Sequence, residues 1–490
     1  MSSYLAADLG AESGRVMLGT LAGGRLEIEE IRRFPNQPVE LPSGLYWDAF
    51  RLFHEIVEGL TIAGRERHLK PAGIGVDTWG VDFGLLGADG GLIDCPRHYR
   101  DPRTNGVTDR LFETVPRAEV FARTGIQIMS INSLYQLYAA RLANPSALDN
   151  ARRLLFMPDL IHYLLTGVCA TEKSIASTSQ LLNPHTQTWE QEVIKAMGFP
   201  MGILGGLVDA GSVLGELQPD VAAEIGAKHL RVIAPAGHDT ASAVVGVPAE
   251  EPEPVFLSSG TWSCMGRELK RPAISEASFR ANFSNEGGAF GTTRLLKNIA
   301  GMWLLQESKR AWDAAGKPVA YDDLARQAEG AAPFAAFIDP DAADFQAPAD
   351  MPAAMAAFCC RTGQTAPADF GGLTRVIFES LALKYRYVKE SLAQITGKPI
   401  ERIYIVGGGS QNHLLNQFTA DALNCTVVAG PVEAASIGNL ILQLYALGEI
   451  RSLAEGRSLI RRSFETNVFE PRNTGAWNDA YARFQTILSA

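Results

Sequence analysis

The chain has 490 residues, of which 46% are hydrophobic and 20% are charged, and its formal net charge is −10. This length exceeds what one hydrophobic core usually supports, so we expect a soluble protein with two large domains. The acidic balance argues against a nucleic-acid-binding surface, which would be basic, but it permits a local site for a phosphorylated ligand.

The N-terminal segment has no basic region followed by an apolar core, and no run of about 20 apolar residues occurs in the chain. We therefore expect no secretion signal, no membrane span and a cytoplasmic location. The six cysteines form no C-x-x-C pair, which argues against a zinc ribbon or a thioredoxin-type motif. The adjacent Cys359 and Cys360 indicate no function.

Hydrophobic periodicity and turn residues predict mixed α/β structure in the first half of the chain. The predicted elements are strands over 4–7, 16–21, 26–31, 73–77 and 231–236 and helices over 48–59, 134–142 and 158–167. The segment Gly-His-Asp-Thr follows the last of these strands at once, and Asp239 or Thr240 is expected to cap the next helix.

Residues 247–254 contain three prolines and three acids, which predicts an exposed connection between domains 1–246 and 247–490. After it the opening strand–turn–strand pattern returns over 255–266, as a repeat of pattern and not of sequence. The remaining predicted elements are helices over 371–392, 411–423 and 433–447 and strands over 402–406 and 426–428. Strands alternating with helices predict α/β domains.

The first turn, Asp8-Leu9-Gly10-Ala11-Glu12-Ser13-Gly14-Arg15, joins two predicted strands and exposes backbone N–H groups that can cradle phosphate oxygens. Asp8 could hold Mg²⁺ directly or through water, and Arg15 could face a phosphate. The alternative is an ordinary hairpin with a surface arginine.

Two later turns could also bring backbone groups close to a phosphorylated ligand. Ser259-Gly260-Thr261 is a second hairpin that could bind phosphate from the other side, and Gly407-Gly408-Gly409 ends a strand where a ligand could approach the backbone. Asn412 stands where G-x-G-x-x-G needs its last glycine, and the chain contains no P-loop motif, so a P-loop kinase is excluded. The alternatives are a plain hairpin and a strand–helix connection.

Asp239 is the strongest candidate for chemistry because it follows a strand, where α/β sheets bind ligands. Phosphoryl transfer needs a carboxylate that accepts a hydroxyl proton. The alternative is a helix cap.

Asp77-Thr78-Trp79-Gly80-Val81-Asp82 combines acids with an aromatic side chain, which suits sugar hydroxyls and a sugar face. Residues 295–298 and Gln306 could line a pocket. A strand end followed by a turn, and ordinary surface polarity, are the alternatives.

Together these segments resemble the FGGY carbohydrate kinases, and among them the members that act on rhamnulose. The segments that carry the resemblance are, in order, Asp-Leu-Gly-Ala-Glu-Ser-Gly-Arg, Asp-Thr-Trp-Gly-Val-Asp-Phe, Tyr-Arg-Asp-Pro-Arg-Thr, Gly-His-Asp-Thr-Ala-Ser-Ala, Ser-Ser-Gly-Thr-Trp-Ser, Asn-Glu-Gly-Gly, Leu-Lys-Asn-Ile and Val-Gly-Gly-Gly-Ser-Gln-Asn. The resemblance runs from about residue 3 to residue 470. The resemblance implies two ribonuclease-H-like domains of the actin and hexokinase type with a cleft between them, and conversion of ATP and L-rhamnulose to ADP and L-rhamnulose 1-phosphate.

The resemblance also implies roles for residues at matching positions. Asp239 would be the catalytic base and Asp8 would help to hold Mg²⁺. The sugar would be bound by Gly80, His238, Asp239, Thr240 and Asn298. ATP would be bound by Ala11, Glu12, Ser13, Gly14, Arg15, Thr261, Gln306 and Gly408. Glu12 departs from the small hydroxyl residue found in many members, so we expect only its backbone to serve the nucleotide.

Two rival functions stay open from the sequence. A related kinase acting on L-fuculose or D-xylulose would use the same ATP segments and the same base. An actin-like or chaperone-like ATP-driven clamp would share the phosphate turns but would not need Trp79 and Asn298 near a small pocket. The expected partner is a small sugar, with no nucleic acid or membrane, and the protein could be a monomer or a dimer.

Overall fold

The computed structural model describes residues 1–227 and 229–488, which form two compact units. The first unit comprises Met1–Glu250, Glu268–Leu295 and Glu433–Phe464, and the second comprises Glu251–Arg267, Leu296–Val432 and the residues from Glu465 onward. The first unit thus draws on both sides of the predicted boundary at residues 246 and 247, and that boundary stays a prediction.

The strands up to residue 250 are β1 Ser2–Leu9, β2 Ser13–Ala22, β3 Arg25–Pro35, β4 Val39–Leu41, β5 Gly44–Tyr46, β6 Gly73–Thr78, β7 Phe83–Leu86, β8 Arg153–Phe156, β9 Thr171–Glu172, β10 Leu182–Asn183, β11 Thr188–Trp189, β12 Leu207–Val208, β13 Ser212–Glu216 and β14 Arg231–Ala234. The later strands are β15 Val255–Ser259, β16 Trp262–Leu269, β17 Ser284–Gly287, β18 Thr293–Ala300, β19 Arg402–Val406, β20 Thr426–Ala429 and β21 Asn467–Phe469.

The helices up to residue 250 are α1 Ala49–Thr61, α2 Val107–Phe112, α3 Arg117–Thr124, α4 Ser133–Ala143, α5 Pro145–Asn150, α6 Met157–Thr166, α7 Lys173–Thr178, α8 Gln191–Ala196, α9 Pro219–Ile225 and α10 Asp239–Val245. The later helices are α11 Glu276–Arg280, α12 Trp303–Ala314, α13 Tyr321–Gly330, α14 Met351–Arg361, α15 Phe370–Thr396, α16 His413–Leu423, α17 Ala434–Ala446, α18 Leu453–Ser463 and α19 Thr474–Leu488. Among the described residues, we find no helix with the length and apolarity that a membrane span requires.

The six-stranded sheet of the first unit has the order β13-β14-β6-β1-β2-β3. Strands β14, β6 and β1 run parallel, whereas β1 and β2 form an antiparallel hairpin. Asp8 and Asp77 are register partners, and Thr78 forms a parallel bridge with His238. Because the carboxyl ends of parallel strands meet at one edge, this sheet gathers its polar loops there.

The other large sheet has the order β17-β18-β16-β15-β19-β20-β21. It repeats the antiparallel hairpin with a parallel neighbour, since β15 pairs with β16 and with β19. Helices pack against both sheets, since α6 and α17 contact β6 and α16 contacts β20, and this confirms the predicted mixed α/β class.

Helix boundaries follow local signals. Asp369 accepts a hydrogen bond from the backbone N–H of Gly372 at 2.8 Å and so caps α15, which ends at Gly397, a residue with φ of 66°. The predicted helix over 371–392 is therefore real and slightly longer than the periodicity indicated.

One local prediction is wrong, and a second holds only for part of its segment. The N-cap of α10 is His238, and Asp239 is the first helical residue, so neither Asp239 nor Thr240 occupies the capping position. In the 247–254 connection, Glu250 and Pro252 are exposed as predicted, whereas Val247 to Ala249 are buried, and the carbonyl of Ala249 accepts from Arg461 at 2.7 Å.

Candidate active site

Three carboxylates lie at the carboxyl edge of the first sheet. Asp8 ends β1, Asp77 lies beside it near the end of β6, and Asp239 follows β14. Asp8 is 3% exposed and Asp77 is fully buried. Carboxylates concentrated in this way repel one another, which is typical of sites that bind a cation or move a proton.

Asp239 is the most accessible of the three, with 29% of its side chain exposed. Its Oδ1 accepts from the backbone N–H of Thr240 at 2.5 Å and from the Thr240 hydroxyl at 3.2 Å, and His238 Nε2 lies 3.4 Å away. Burial raises the pKa of Asp239 above its ordinary value; His238 opposes that shift and the charge of Asp8 adds to it. In the described part of the chain, the contacts of this carboxylate converge on Oδ1.

A residue of α17 donates a hydrogen bond to Asp77. Its Oδ2 accepts from Asn439 Nδ2 at 2.6 Å, whereas its buried Oδ1 has no hydrogen-bond partner among the described residues. Burial raises the pKa of Asp77 well above its usual range, and the charge of Asp8 raises it further.

The first predicted phosphate turn has a fixed backbone. Gly10 N donates to Ser13 O at 3.0 Å. Asn36, which the sequence analysis missed, donates from its backbone N to Glu12 O at 2.9 Å and from Nδ2 to Gly10 O at 2.8 Å. The Glu12 side chain is exposed.

Arg15 and Asp8 are paired in this structure. Arg15 Nη2 lies 3.0 Å from Asp8 Oδ2, and its Nη1 lies 2.5 Å from Glu433 Oε2 at the start of α17. Ser436 also donates to Asp8 Oδ2, at 3.1 Å. The guanidinium therefore lies beside the phosphate turn, with 25% of its side chain exposed.

The segment from Gly80 to Asp82 is strained. Val81, a β-branched residue, has φ of 69°, which is an outlier for such a side chain. Its N–H donates to the Thr178 hydroxyl at 3.0 Å, and its carbonyl accepts from the Ser133 hydroxyl at 2.5 Å. Surrounding contacts that enforce a strained backbone are common at binding sites.

Asp82 organises an aromatic cluster behind this segment. Its Oδ2 accepts from the indole N–H groups of Trp47 at 2.6 Å and Trp79 at 2.9 Å, and its Oδ1 accepts from Gln136 at 2.7 Å. Burial raises the pKa of Asp82 to about 6, although these hydrogen bonds oppose the shift. The ring of His98 stacks on Trp47 with centroids 4.2 Å apart. Trp47 is 0% exposed and Trp79 and His98 are each 6% exposed, so this cluster is a buried support for the Gly80–Asp82 segment.

In the second unit, Thr261 and Gln306 lie together. Gln306 Nε2 donates to Thr261 Oγ1 at 3.3 Å, and the buried Oε1 of Gln306 has no hydrogen-bond partner among the described residues. Helix α12 is anchored to the hairpin, since Trp303 N donates to Thr261 O at 3.1 Å.

The glycine turn after β19 packs on the same hairpin. Gly407 has φ of 83°, and a Cβ there would lie 2.9 Å from the Ser259 carbonyl oxygen, while a Cβ at Gly409 would clash with the Ser259 hydroxyl. A Cβ at Gly408 would meet nothing within 4 Å. Only Gly408 therefore faces open space, which leaves room for a ligand beside its backbone.

Asn298 is the remaining predicted sugar ligand, and it also lies in the second unit. The Cys264 thiol donates to Asn298 Oδ1 at 2.8 Å, so this cysteine has a polar contact in addition to its buried position. The predicted site residues thus form one group in each unit: Asp8, Ala11 to Arg15, Gly80 and His238 to Thr240 in the first, and Thr261, Asn298, Gln306 and Gly408 in the second.

Both halves of the chain match models of one known family. Residues 3–246 match the N-terminal domain of the FGGY family of carbohydrate kinases, and residues 255–447 match its C-terminal domain. The chain belongs to the FGGY family of carbohydrate kinases. The resemblance stated from the motifs is confirmed.

Curated FGGY relatives cover the whole chain. A rhamnulokinase from Bacteroides thetaiotaomicron is 46% identical over 486 residues, covering 99% of each chain. A rhamnulokinase from Enterococcus faecalis is 40% identical and covers 96% of this chain and 94% of its own length.

Solved structures agree on the FGGY fold. Gluconate kinase from Lactobacillus acidophilus superposes with a TM-score of 0.83 at 16% identity, covering 100% of this chain and 98% of that chain. Xylulose kinase from the same organism gives 0.82 at 16% identity with the same coverage. At these identities the likeness establishes the fold alone.

The FGGY acidic edge fits a magnesium ion. Mg²⁺ prefers oxygen ligands and usually takes one or two carboxylates together with water and phosphate. Asp8 supplies a carboxylate, and the unpartnered Oδ1 of Asp77 lies on the neighbouring strand. The described residues contain no cluster of three or more His, Cys, Asp or Glu arranged to hold a metal. One or two protein carboxylates, with phosphate oxygens and water, therefore match what the edge provides.

Several residues around this FGGY site were not singled out from the sequence. Asn36, Ser436 and Asn439 each contact the acidic edge or the first turn from distant positions. Asn36 follows β3 and is 4% exposed, but a single asparagine in a loop carries no motif. Glu286 lies in the Asn-Glu-Gly-Gly segment, which was quoted only for its resemblance.

Proposed function

We propose that this protein phosphorylates L-rhamnulose to L-rhamnulose 1-phosphate with ATP and Mg²⁺. The observation that carries the proposal is the near-complete coverage by curated rhamnulokinases, at up to 46% identity over 486 residues. The position of Asp239 at the carboxyl edge of a parallel sheet supports it, because a base is needed at that place.

Asp239 is the general base in this proposal. The sugar hydroxyl oxygen attacks the γ-phosphorus, the bond from that phosphorus to the ADP oxygen breaks, and the hydroxyl proton passes to the Asp239 carboxylate. The raised pKa of Asp239 helps it to receive that proton.

The other predicted residues bind and orient the two substrates. Gly80, His238, Thr240 and Asn298 contact the sugar. The backbone of residues 11–15, with Thr261, Gln306 and Gly408, binds ATP, and Arg15 moves from Asp8 to a phosphate oxygen. Asp8 would hold the Mg²⁺, which would neutralise charge on the phosphates.

A panel of ketoses tests the proposal. ADP release is measured for L-rhamnulose, L-fuculose and D-xylulose with ATP and Mg²⁺, and the product is identified by mass spectrometry and NMR. We expect the highest kcat/KM for L-rhamnulose, with the phosphate on C1. Equal or better turnover of L-fuculose or D-xylulose would assign another ketose. ATP hydrolysis that no ketose changes would favour the ATP-driven clamp.

A further inference from the structure

A buried charge cluster lies behind His238 in the first unit. It consists of His238, Glu286 on β17 and Arg294 on β18. Arg294 is 0% exposed, Glu286 is 3% exposed and His238 is 9% exposed. Burying a guanidinium and a carboxylate costs several kcal/mol per ion, and the pair often fails to recover this cost as stability. The cluster therefore needs a reason other than folding energy.

The contacts within the cluster converge on one ring nitrogen. His238 Nδ1 lies 3.2 Å from Glu286 Oε2 and 3.2 Å from Arg294 Nη2, which is itself 3.1 Å from Glu286 Oε2. Arg294 Nε donates to Gly287 O at 2.9 Å, so the guanidinium is tied to β17 as well. Burial would raise the pKa of Glu286, but Arg294 and His238 outweigh it and lower that pKa, so this carboxyl is ionised at neutral pH.

The other ring nitrogen faces the base. Arg294 Nη2 can only donate, so Nδ1 accepts from it and the proton of the neutral ring is on Nε2, which is directed at Asp239 Oδ1, 3.4 Å away. The backbone at this point is held too, because His238 N lies 3.3 Å from the Ser174 hydroxyl and Thr78 bridges to His238. Asp239 Oδ1 is thus surrounded by Thr240 and His238, which leaves Oδ2 for the sugar hydroxyl.

We propose that Glu286 and Arg294 are positioning residues that lock the His238 ring, and through it the Asp239 carboxylate, in the orientation needed for proton transfer. This inference rests on the proposed function. Neither residue touches a substrate in this scheme, and each acts only through His238.

A double-mutant cycle with His238→Gln tests this coupling. Glu286→Gln keeps the side-chain shape and removes the charge. We expect its kcat to fall about 10- to 100-fold, while KM for ATP changes by less than about twofold. Because Glu286 acts through His238, adding Glu286→Gln to His238→Gln should cause no further loss. If Glu286→Gln does not fold, Arg294→Lys takes its place in the same cycle, since it keeps the charge but withdraws the guanidinium fork.

Glu268→Gln is the matched control. Glu268 is a buried carboxylate of the same unit, 2.7 Å from the buried Arg457, and it touches neither His238 nor Asp239. We expect this variant to lower the thermal midpoint about as much as Glu286→Gln while kcat stays within about twofold of the wild type.

The possible outcomes separate the inference from the proposed function. Losses that multiply in the double variant, or a kcat for the single variant close to wild type, would overturn the positioning role while an active wild type upholds the proposed function. A wild-type protein that phosphorylates no ketose would overturn the proposed function, and this inference with it.

Discussion

Asp239 combines partial exposure with a densely charged surrounding. Its side chain is 29% exposed, yet Asp8 and His238 lie close enough to shift its pKa in opposite directions. A carboxylate in an ordinary helix start would be solvated and would need neither neighbour. The residue-scale features therefore favour a chemical role over a structural one.

Replacing Asp239 with Asn should lower kcat by about 10²–10⁴-fold, because the amide cannot accept the hydroxyl proton. Sugar binding should largely survive, since the amide keeps a similar size and polarity. Steady-state ADP release and calorimetric titration with the ketose measure the two effects separately.

The pH dependence of the wild type checks the same residue. Because the pKa of Asp239 is raised, the acid limb of kcat/KM should lie above about pH 4, the usual range of aspartate. Activity should be lost as the pH falls through that limb, where Asp239 becomes protonated.

Near-normal kcat in Asp239→Asn would remove this residue from the mechanism.

At the scale of elements, the packing of α10 against α17 determines where Asp239 lies. α10 begins at Asp239, and its partner α17 supplies Asn439 to Asp77 and Ser436 to Asp8. Their approach is close because a Cβ at Gly438 would clash with the carbonyl oxygen of Ser242. A glycine contact therefore links helix packing to the acidic edge.

Gly438→Ala should push α10 away from α17 and destabilise the protein by about 1–3 kcal/mol, since a backbone carbonyl cannot move aside cheaply. The same shift should displace Asp239 and lower kcat. Thermal unfolding and ADP release measure both effects.

Gly330→Ala is the control for this substitution, because it lies at the exposed end of α13 and its Cβ would meet nothing within 4 Å. An unchanged thermal midpoint and kcat in Gly438→Ala would contradict the proposed link between the two helices.

At the scale of the whole molecule, the first unit is built from segments that lie far apart in the chain. Its core includes Ile437, Leu440, Ile441, Leu442 and Leu444 of α17, which pack with Tyr4, Ala6 and Met17 of the first hairpin. Burying these five aliphatic side chains contributes roughly 10 kcal/mol. That amount is comparable to the whole stability of a typical domain.

A fragment ending at residue 246 should therefore not fold on its own, although it spans the complete N-terminal family match. We expect a chain comprising residues 1–246 to lack a cooperative melting transition by circular dichroism and to elute as an expanded or aggregated species. The full-length chain under the same conditions provides the reference. Cooperative melting of the fragment would contradict this expectation.

The local parts of this protein could be predicted because their signals are local. Short apolar runs separated by glycine-containing turns predicted the hairpins β1–β2 and β15–β16, and motif order predicted the family. The helix predicted over 433–447 matches α17 almost residue for residue. Its membership of the first unit could not be predicted, because periodicity indicates which face of a helix is buried and not what covers it.

The sequence by itself determined the α/β class, the family, and Asp239 as the leading candidate base, since each depends on residue types at short spacing. Only the tertiary structure decided that Asn36 holds the turn after β1, that Asp77 lies beside Asp8, and that Glu286 and Arg294 contact His238. The physical reason is that a buried polar group must find its partner in space, and the partner's place in the sequence follows from the path of the chain.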